Sequence, residues 1–137
     1  MVSFFIVETG LPEGRSNNDH SVQWENAFMD IFFDAGYIVS NSPIVRLQTN
    51  PQDDLLRSAG INIMETRNWG VDYVVIAQLD YVSLTQSPEK ISFIIYRVNT
   101  NEKIFDRQID GKSYRSVREE YDDIRSIVRA LVPFIKS

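Results

Sequence analysis

VDYVVIAQLDYV, residues 71–82, is the stretch that decides the fold class, because aliphatic and aromatic residues dominate it. An apolar run of strand length is typical of a β-strand that is buried on both faces of its sheet. Such strands lie at the centre of α/β sheets, where other layers cover the two faces. The stretch therefore predicts a central strand with protein packed on both sides.

Two amphipathic helices are predicted, one before this strand and one near the carboxyl end of the chain. The apolar residues of the first follow the helical period at Trp24, Ala27, Phe28, Ile31, Phe32 and Ala35. Those of the last helix are Val117, Tyr121, Ile124, Val128, Leu131 and Ile135. Gly36 stands where a helix ends in a left-handed conformation. A shorter helical segment is predicted to start at Asn50-Pro51-Gln52-Asp53, with Leu55, Leu56 and Ala59 on its apolar side.

Further β-rich runs lie on both sides of the central strand. They are Phe4–Glu8, Tyr37–Val39, Ile91–Val98 and Lys103–Ile109, and Ile44–Leu47 also has extended character. The element order is therefore β-α-β-α-β-β-β-α, an α/β fold with a mixed sheet of about five strands and helices packed against it. Helical crossovers allow the first three strands to be parallel, and hairpin connections make the last two antiparallel. Because no linker or repeat interrupts the pattern, residues 1–137 are predicted to form a single domain.

The composition excludes several classes of function. The 137 residues include 14 Lys and Arg against 19 Asp and Glu, a net charge of −5. This balance lacks the basic surface that supplies most nucleic-acid affinity, so no nucleic-acid partner is expected. Without cysteine there is no disulfide, zinc–thiolate site, iron–sulfur cluster or thiol nucleophile. No apolar run approaches the roughly 20 residues of a membrane-spanning helix.

The candidate catalytic and metal-binding residues all have simpler interpretations. His20 is the only histidine, and Asp19 and Ser21 flank it. Adjacent residues rarely face one another as a catalytic triad requires, so His20 is interpreted as a solvated loop residue or a helix-start contact. The acidic pairs are Asp53-Asp54, Glu119-Glu120 and Asp122-Asp123. They lie early in predicted helices, where carboxylates favour the positive end of the helix dipole, and this explains them better than a metal site. We therefore predict no catalytic residue, cofactor or metal, and no individual partner-binding residue is identified.

The loop Gly10-Leu11-Pro12-Glu13-Gly14 leaves an alternative open. It follows a strand and precedes a helix, which is the context of a phosphate-binding loop. It lacks the Walker lysine and the GxGxxG spacing, and Glu13 would repel phosphate. The alternative function is a small nucleotide- or ligand-binding regulator, or an enzyme, that uses this loop.

Three strings carry a family resemblance that spans roughly residues 4–135. They are the helix Trp24–Ala35 running into Gly36-Tyr37-Ile38-Val39, the stretch Gly70–Ala77, and the hairpin Tyr96–Ile104. The chain resembles the α/β domain shared by the amino-terminal domain of TolB, the curli secretion lipoprotein and the lipoprotein activator of penicillin-binding proteins. Asn101 stands where the turn glycine of these domains would be, a mild change because Asn tolerates the left-handed conformation.

The resemblance implies a non-catalytic protein-interaction domain of a bacterial cell-envelope protein, with other envelope proteins as partners. The expected surfaces are the loops Gly10–His20 and Ser83–Lys90 and the hairpin around Asn101. Residues 1–8 lack the pattern of a signal peptide. The expected location is therefore periplasmic or outer-membrane-associated if a leader has been removed, and cytoplasmic otherwise. A structural subunit that associates through the last helix or a sheet edge is a further possibility, and the oligomeric state is left open.

Overall fold

The computed structural model describes residues 1–14, 18–48 and 55–135. Its strands are β1 (Val2–Thr9), β2 (Val39–Asn41), β3 (Val45–Arg46), β4 (Tyr73–Asp80), β5 (Lys90–Arg97) and β6 (Glu102–Asp110). Its helices are α1 (Asp19–Asp34), α2 (Leu55–Ser58), α3 (Ile63–Asn68) and α4 (Val117–Leu131), and a 3-10 turn at Val132–Ile135 follows α4. The predicted α/β class is confirmed. The helix start expected at Asn50–Asp53 lies outside the described residues.

One mixed sheet contains all six of these strands: five follow the order β2-β1-β4-β5-β6, and β3 lies off this path, paired with β1. β1 pairs in parallel with β4, from Val2 opposite Tyr73 to Thr9 opposite Asp80. The short strands β2 and β3 pair in parallel with the two halves of β1, and β4, β5 and β6 are successively antiparallel. β1, β3 and β4 therefore all end at one edge of the sheet, which we call the carboxyl edge; the opposite edge is the amino edge.

The first face of the sheet is covered by α1 and α4. Phe4 of β1 stacks on Phe28 of α1 with ring centroids 5.3 Å apart, and Phe28 stacks on Phe32 at 5.8 Å. Trp24 contacts Phe93 of β5 at 5.6 Å. All five side chains are at most 2% exposed. The predicted apolar stripe of the first helix thus forms the core from Trp24 to Phe32, whereas its last position, Ala35, follows α1 and is exposed.

The second face carries a smaller core, over β1 and β4. Its buried members are Phe5, Val7, Ile61, Ile63, Val71, Val74, Ile76 and Val98. Alternate residues of β4 therefore enter different cores: Val75 and Ala77 belong to the first, and Val74 and Ile76 to the second. This confirms that the central strand is buried on both faces, as its continuous apolar sequence predicts.

Local turn chemistry also follows the sequence. Gly36 has a φ of 93° and ends α1, where the Gly36 N–H donates to Phe33 O at 3.0 Å and the Tyr37 N–H donates to Phe32 O at 3.1 Å. This is the Schellman pattern, and the rings of Phe32 and Tyr37 close it with an edge contact at 6.2 Å. Asn101 has a φ of 51°, so the hairpin adopts the left-handed conformation that Asn was expected to tolerate.

No helix within the described ranges has the length and apolar character needed to cross a membrane.

Candidate functional site

A buried carboxylate, Glu8, organises the carboxyl edge. Its side chain is 1% exposed, and Oε1 accepts a hydrogen bond from Arg46 Nε of β3 at 3.0 Å. Oε2 accepts from Ser21 Oγ at 2.5 Å and from the Asn18 backbone N–H at 3.2 Å. A buried charge is tolerated only when it is paired and hydrogen-bonded, and both conditions are met here. Glu8 thereby fixes the start of α1 against β1 and β3.

Tyr81, which follows β4, extends this network. Ser21 has one hydroxyl proton, and a carboxylate only accepts, so Ser21 donates to Glu8 and accepts from Tyr81 Oη at 2.7 Å. Burial raises the pKa of the Tyr81 hydroxyl above its ordinary value, with Glu8 adding to the effect. Tyr81 therefore remains a hydrogen-bond donor at neutral pH.

The structure pairs His20 with Glu120, a contact that no local sequence pattern indicates. His20 lies in the first turn of α1, where its backbone N–H donates to Asn18 Oδ1 at 2.9 Å as a helix-start contact. Its ring nitrogen Nδ1 lies 2.7 Å and 2.8 Å from the two carboxylate oxygens of Glu120 in α4. Gln23 Nε2 donates to Glu120 Oε1 at 3.0 Å, and Glu120 is 3% exposed. The pair therefore joins α1 to α4 below the carboxyl edge.

The predicted apolar face of the last helix is wrong at its first position. Val117 is 70% exposed, whereas Glu120 occupies the buried stripe together with Ile124 and Val128. Glu120 is thus more than a helix-start charge. The spacing of Glu120 could have indicated this, because Glu120, Ile124 and Val128 follow one another at intervals of four and so share one face of the helix. A carboxylate on a buried helix face requires a hydrogen-bonding partner.

Two adjacent clefts open at the carboxyl edge, and we call them together the edge groove. The larger, of about 390 Å³, is lined by His20, Thr85, Gln86, Ser87, Ser113, Tyr114, Arg115, Ser116, Val117 and Glu120. The smaller, of about 290 Å³, is lined by Val82, Gln86, Ser87, Pro88, Glu89, Gly111, Lys112 and Ser113. Because they share Gln86, Ser87 and Ser113, the two clefts lie side by side.

Close backbone contacts hold the walls of the edge groove together. A Cβ at Gly111 would lie 1.7 Å from Pro88 O, so only glycine fits there. The Gly111 N–H donates to Glu89 O at 2.7 Å, and Ser87 Oγ donates to Lys112 O at 2.6 Å. The Asn18 side chain donates to Leu84 O at 3.1 Å. Hydrogen bonds and close backbone packing therefore hold the loops of the groove in place.

The structure brings together two of the three surfaces expected from the sequence. The loop before α1 and the loop Ser83–Lys90 meet at the carboxyl edge through the contact of Asn18 with Leu84. The hairpin around Asn101 lies at the amino edge, where Arg97 and Asn99 border a separate cleft of about 550 Å³. The segment Gly111–Ser116, which is not among the surfaces expected from the sequence, forms the other wall of the edge groove.

The glycine loop of the alternative function packs against neighbouring strands. Gly10 has a φ of 81°, and a Cβ there would lie 2.0 Å from Tyr81 O, so close strand packing accounts for this glycine. Arg46 Nη1 donates to Pro12 O at 3.0 Å, which ties the loop to β3. Within residues 1–14, 18–48 and 55–135, no group of three His, Asp or Glu side chains is placed to hold a metal ion.

Solved structures share this fold at low sequence identity. The dodecamer of a PelC point variant from Paraburkholderia phytofirmans has a TM-score of 0.54 and 9% identity, with 96% of this chain and 88% of that chain covered. Lipoprotein GNA1162 from Neisseria meningitidis has a TM-score of 0.52 and 9% identity, with 97% and 99% covered. TolB from Acinetobacter baumannii has a TM-score of 0.45 and 14% identity, with 96% of this chain but 27% of TolB covered. The resemblance expected from the sequence is confirmed as a likeness of fold.

A search of the curated proteins found no match to this sequence. One family model, described as "Uncharacterised protein", matches residues 13–128, which is more than half of the chain. That match extends from the loop before α1 into α4, and so includes both walls of the edge groove. The chain belongs to this family of uncharacterised proteins.

Proposed function

We propose that the chain is a non-catalytic protein-interaction domain of a bacterial cell-envelope protein, periplasmic or outer-membrane-associated, and that the edge groove is its binding surface. The observation that carries the proposal is the set of exposed aliphatic side chains at this edge. Val82, Leu84 and Val117 are 63%, 54% and 70% exposed. Exposed apolar groups beside a groove with fastened walls favour recognition of another protein.

The polar groups of the groove favour binding over catalysis. The Ser87 hydroxyl donates to a backbone carbonyl, so its proton is not held by a base. The Tyr114 hydroxyl donates to Asp123, and burial raises the pKa of Tyr114 above its ordinary value. A nucleophile is activated by an adjacent base or by a lowered pKa, whereas Ser87 donates to a carbonyl and the pKa of Tyr114 is raised.

The envelope assignment draws on the proteins that share the fold. GNA1162 is named as a lipoprotein, and PelC was solved as a dodecamer. A domain of this fold is therefore used in a lipoprotein and in an assembly of many subunits. By extension to this chain, we expect a role in protein contacts at the envelope.

Site-specific photo-crosslinking tests the proposal. A photoreactive amino acid at Leu84, an exposed residue next to the lining residue Thr85, is expected to give discrete adducts with proteins of a bacterial envelope fraction. The matched control places the same group at Asn26, an exposed residue of α1 away from the groove, where no adduct is expected. Adducts with cytosolic proteins alone, or equal adducts at both positions, would contradict the proposal.

A further inference from the structure

The edge groove exposes two cations on an acidic protein, and these cations carry an inference about the partner. We propose that the groove binds an extended acidic peptide segment, in which a carboxylate lies next to an aliphatic side chain. The inference rests on the proposed function, because it specifies the chemistry of the partner at the same surface.

Two cations without a local partner line the groove. Arg115 and Lys112 are exposed, and neither side chain forms an ion pair with the part of the chain that the structure describes. Of the two carboxylates that line the groove, Glu120 is buried and already held by α1, which leaves only Glu89 exposed. The exposed charged side chains that line the groove are therefore two cations and one carboxylate, on a protein whose net charge is −5. Glu119 and Asp123 act on Tyr114, which lines the larger cleft, but do not themselves line either cleft.

Further polar groups in the larger cleft suit a carboxylate. Ser113 supplies a hydroxyl, and the cleft lies at the start of α4, where the helix dipole places a partial positive charge and Ser116 Oγ already accepts from the Glu119 N–H. An Arg guanidinium binds a carboxylate with two parallel hydrogen bonds, so Arg115 is the expected centre of recognition.

The aliphatic part of the proposed ligand follows from the walls. Val117 lines the larger cleft and Val82 the smaller, and both are mostly exposed. The two clefts lie side by side, so a chain in extended conformation can place a carboxylate at Arg115 and an aliphatic side chain against one of these valines. The fastened walls reduce the entropy lost on binding, because the groove exists before the ligand arrives.

A peptide panel tests this inference with purified full chain. Fluorescein-labelled hexapeptides carrying one Asp or Glu beside Val or Leu are compared with matched peptides in which Asn or Gln replaces the acid. Fluorescence polarisation is expected to show binding about two- to fivefold tighter for the acidic peptides, the range of an exposed ion pair. The preference is expected to shrink as NaCl is raised, because salt screens exposed charges.

Arg115→Gln is expected to abolish the preference for acid over amide, whereas Arg129→Gln, an exposed arginine in the last turn of α4, is expected to keep it. When the acidic peptide is added, changes in backbone NMR chemical shift should concentrate in residues 82–89 and 111–117. No binding, an equal affinity for acid and amide peptides, or an unchanged preference in Arg115→Gln would overturn the inference. The same holds if inorganic phosphate binds the groove and the peptides do not. If Leu84 still crosslinks to envelope proteins in any of these cases, the proposed function stands and only the chemistry of the partner is wrong.

Discussion

At the scale of single residues, the ion pair of Glu8 and Arg46 is the most sensitive point of the carboxyl edge. Arg46→Met would leave Glu8 buried without its cation, although Ser21 and Asn18 would still donate to it. Breaking a buried pair from one side costs about 3–5 kcal/mol. We expect a loss of this size in the free energy of unfolding measured with urea. Arg129→Met, on the surface, should change it by less than about 0.5 kcal/mol, and a similar small change in Arg46→Met would show that solvent stabilises Glu8.

Tyr81 gives the stability of the protein a pH dependence at the alkaline end. Burial raises the pKa of Tyr81 above its ordinary value of 10.0, so in alkaline solution the unfolded chain loses the phenol proton while the folded chain retains it. The folded state then binds more protons, and the free energy of unfolding falls as the pH rises above about 10.

Urea unfolding at pH 8, 10 and 11 measures this slope. Tyr81→Phe is expected to make it shallower and to cost about 1 kcal/mol at pH 8, through loss of the bond to Ser21. Tyr114→Phe is the matched comparison, because the pKa of Tyr114 is also raised. Tyr114→Phe should also make the dependence of unfolding free energy on pH shallower, by an amount that adds to the effect of Tyr81→Phe. A slope that Tyr81→Phe leaves unchanged would contradict the assignment.

At the scale of the elements, Gly111→Ala tests whether backbone contact shapes the edge groove. The new Cβ would collide with Pro88 O, so the strand end and the loop must separate. We expect a loss of about 1–3 kcal/mol in unfolding free energy and faster hydrogen exchange in residues 82–89. Gly14→Ala is the comparison: its Cβ would lie 3.0 Å from Arg46 Nη1, a side-chain atom that donates to Pro12 O, rather than against backbone, so a smaller loss is expected. Equal effects of the two variants would count against a groove held by this contact.

The elements themselves were largely predictable, because their signals are local. Successive side chains of β4 enter the two cores in turn, so the strand is a continuous apolar run. The apolar residues from Trp24 to Phe32 lie on one face of α1. Boundaries differ where pairing decides them: the second strand is Val39–Asn41 rather than Tyr37–Val39, because its partners in β1 are Val2 to Phe4. The extended run at Ile44–Leu47 forms a separate strand, β3, for the same reason.

The candidate site was less predictable, because its contacts join distant parts of the chain. Glu8 and Arg46 are 38 positions apart, and His20 and Glu120 are 100 apart. Periodicity within one helix or strand does not predict contacts between such distant residues. A polar residue within an apolar stripe is the only local indication that a partner exists elsewhere in the chain. The loops Gly10–His20 and Ser83–Lys90 could be expected on surface grounds, but their meeting follows from the parallel pairing of β1 with β4. The other wall of the groove, Gly111–Ser116, reaches this edge because β6 pairs with β5 up to Asp110 opposite Lys90.

At the scale of the whole molecule, each face of the sheet has its own hydrophobic core and its own helices, which we call the first and the second layer. These two layers could unfold together or separately. The chain offers one tryptophan for each layer: Trp24 lies in the core under α1, and Trp69 caps α3 on the other face. We propose that residues 1–137 form one cooperative domain, because β1 and β4 contribute side chains to both cores. Trp69→Phe then leaves a reporter for the first layer, and Trp24→Phe leaves a reporter for the second.

The urea midpoint of each variant, followed by tryptophan fluorescence, is expected to coincide with the midpoint of the same variant followed by far-ultraviolet circular dichroism, as two-state unfolding requires. Trp24→Phe should lower the midpoint, because Trp24 is 2% exposed and packs on Phe28 and Phe93, whereas Trp69 is 61% exposed and its replacement should have little effect. If the Trp69 signal instead changes at lower urea than the circular dichroism in Trp24→Phe, the α3 layer unfolds separately. The two covers of the sheet would then be independent units, and the edge groove, whose walls follow β4 and β6, would depend on the first layer alone.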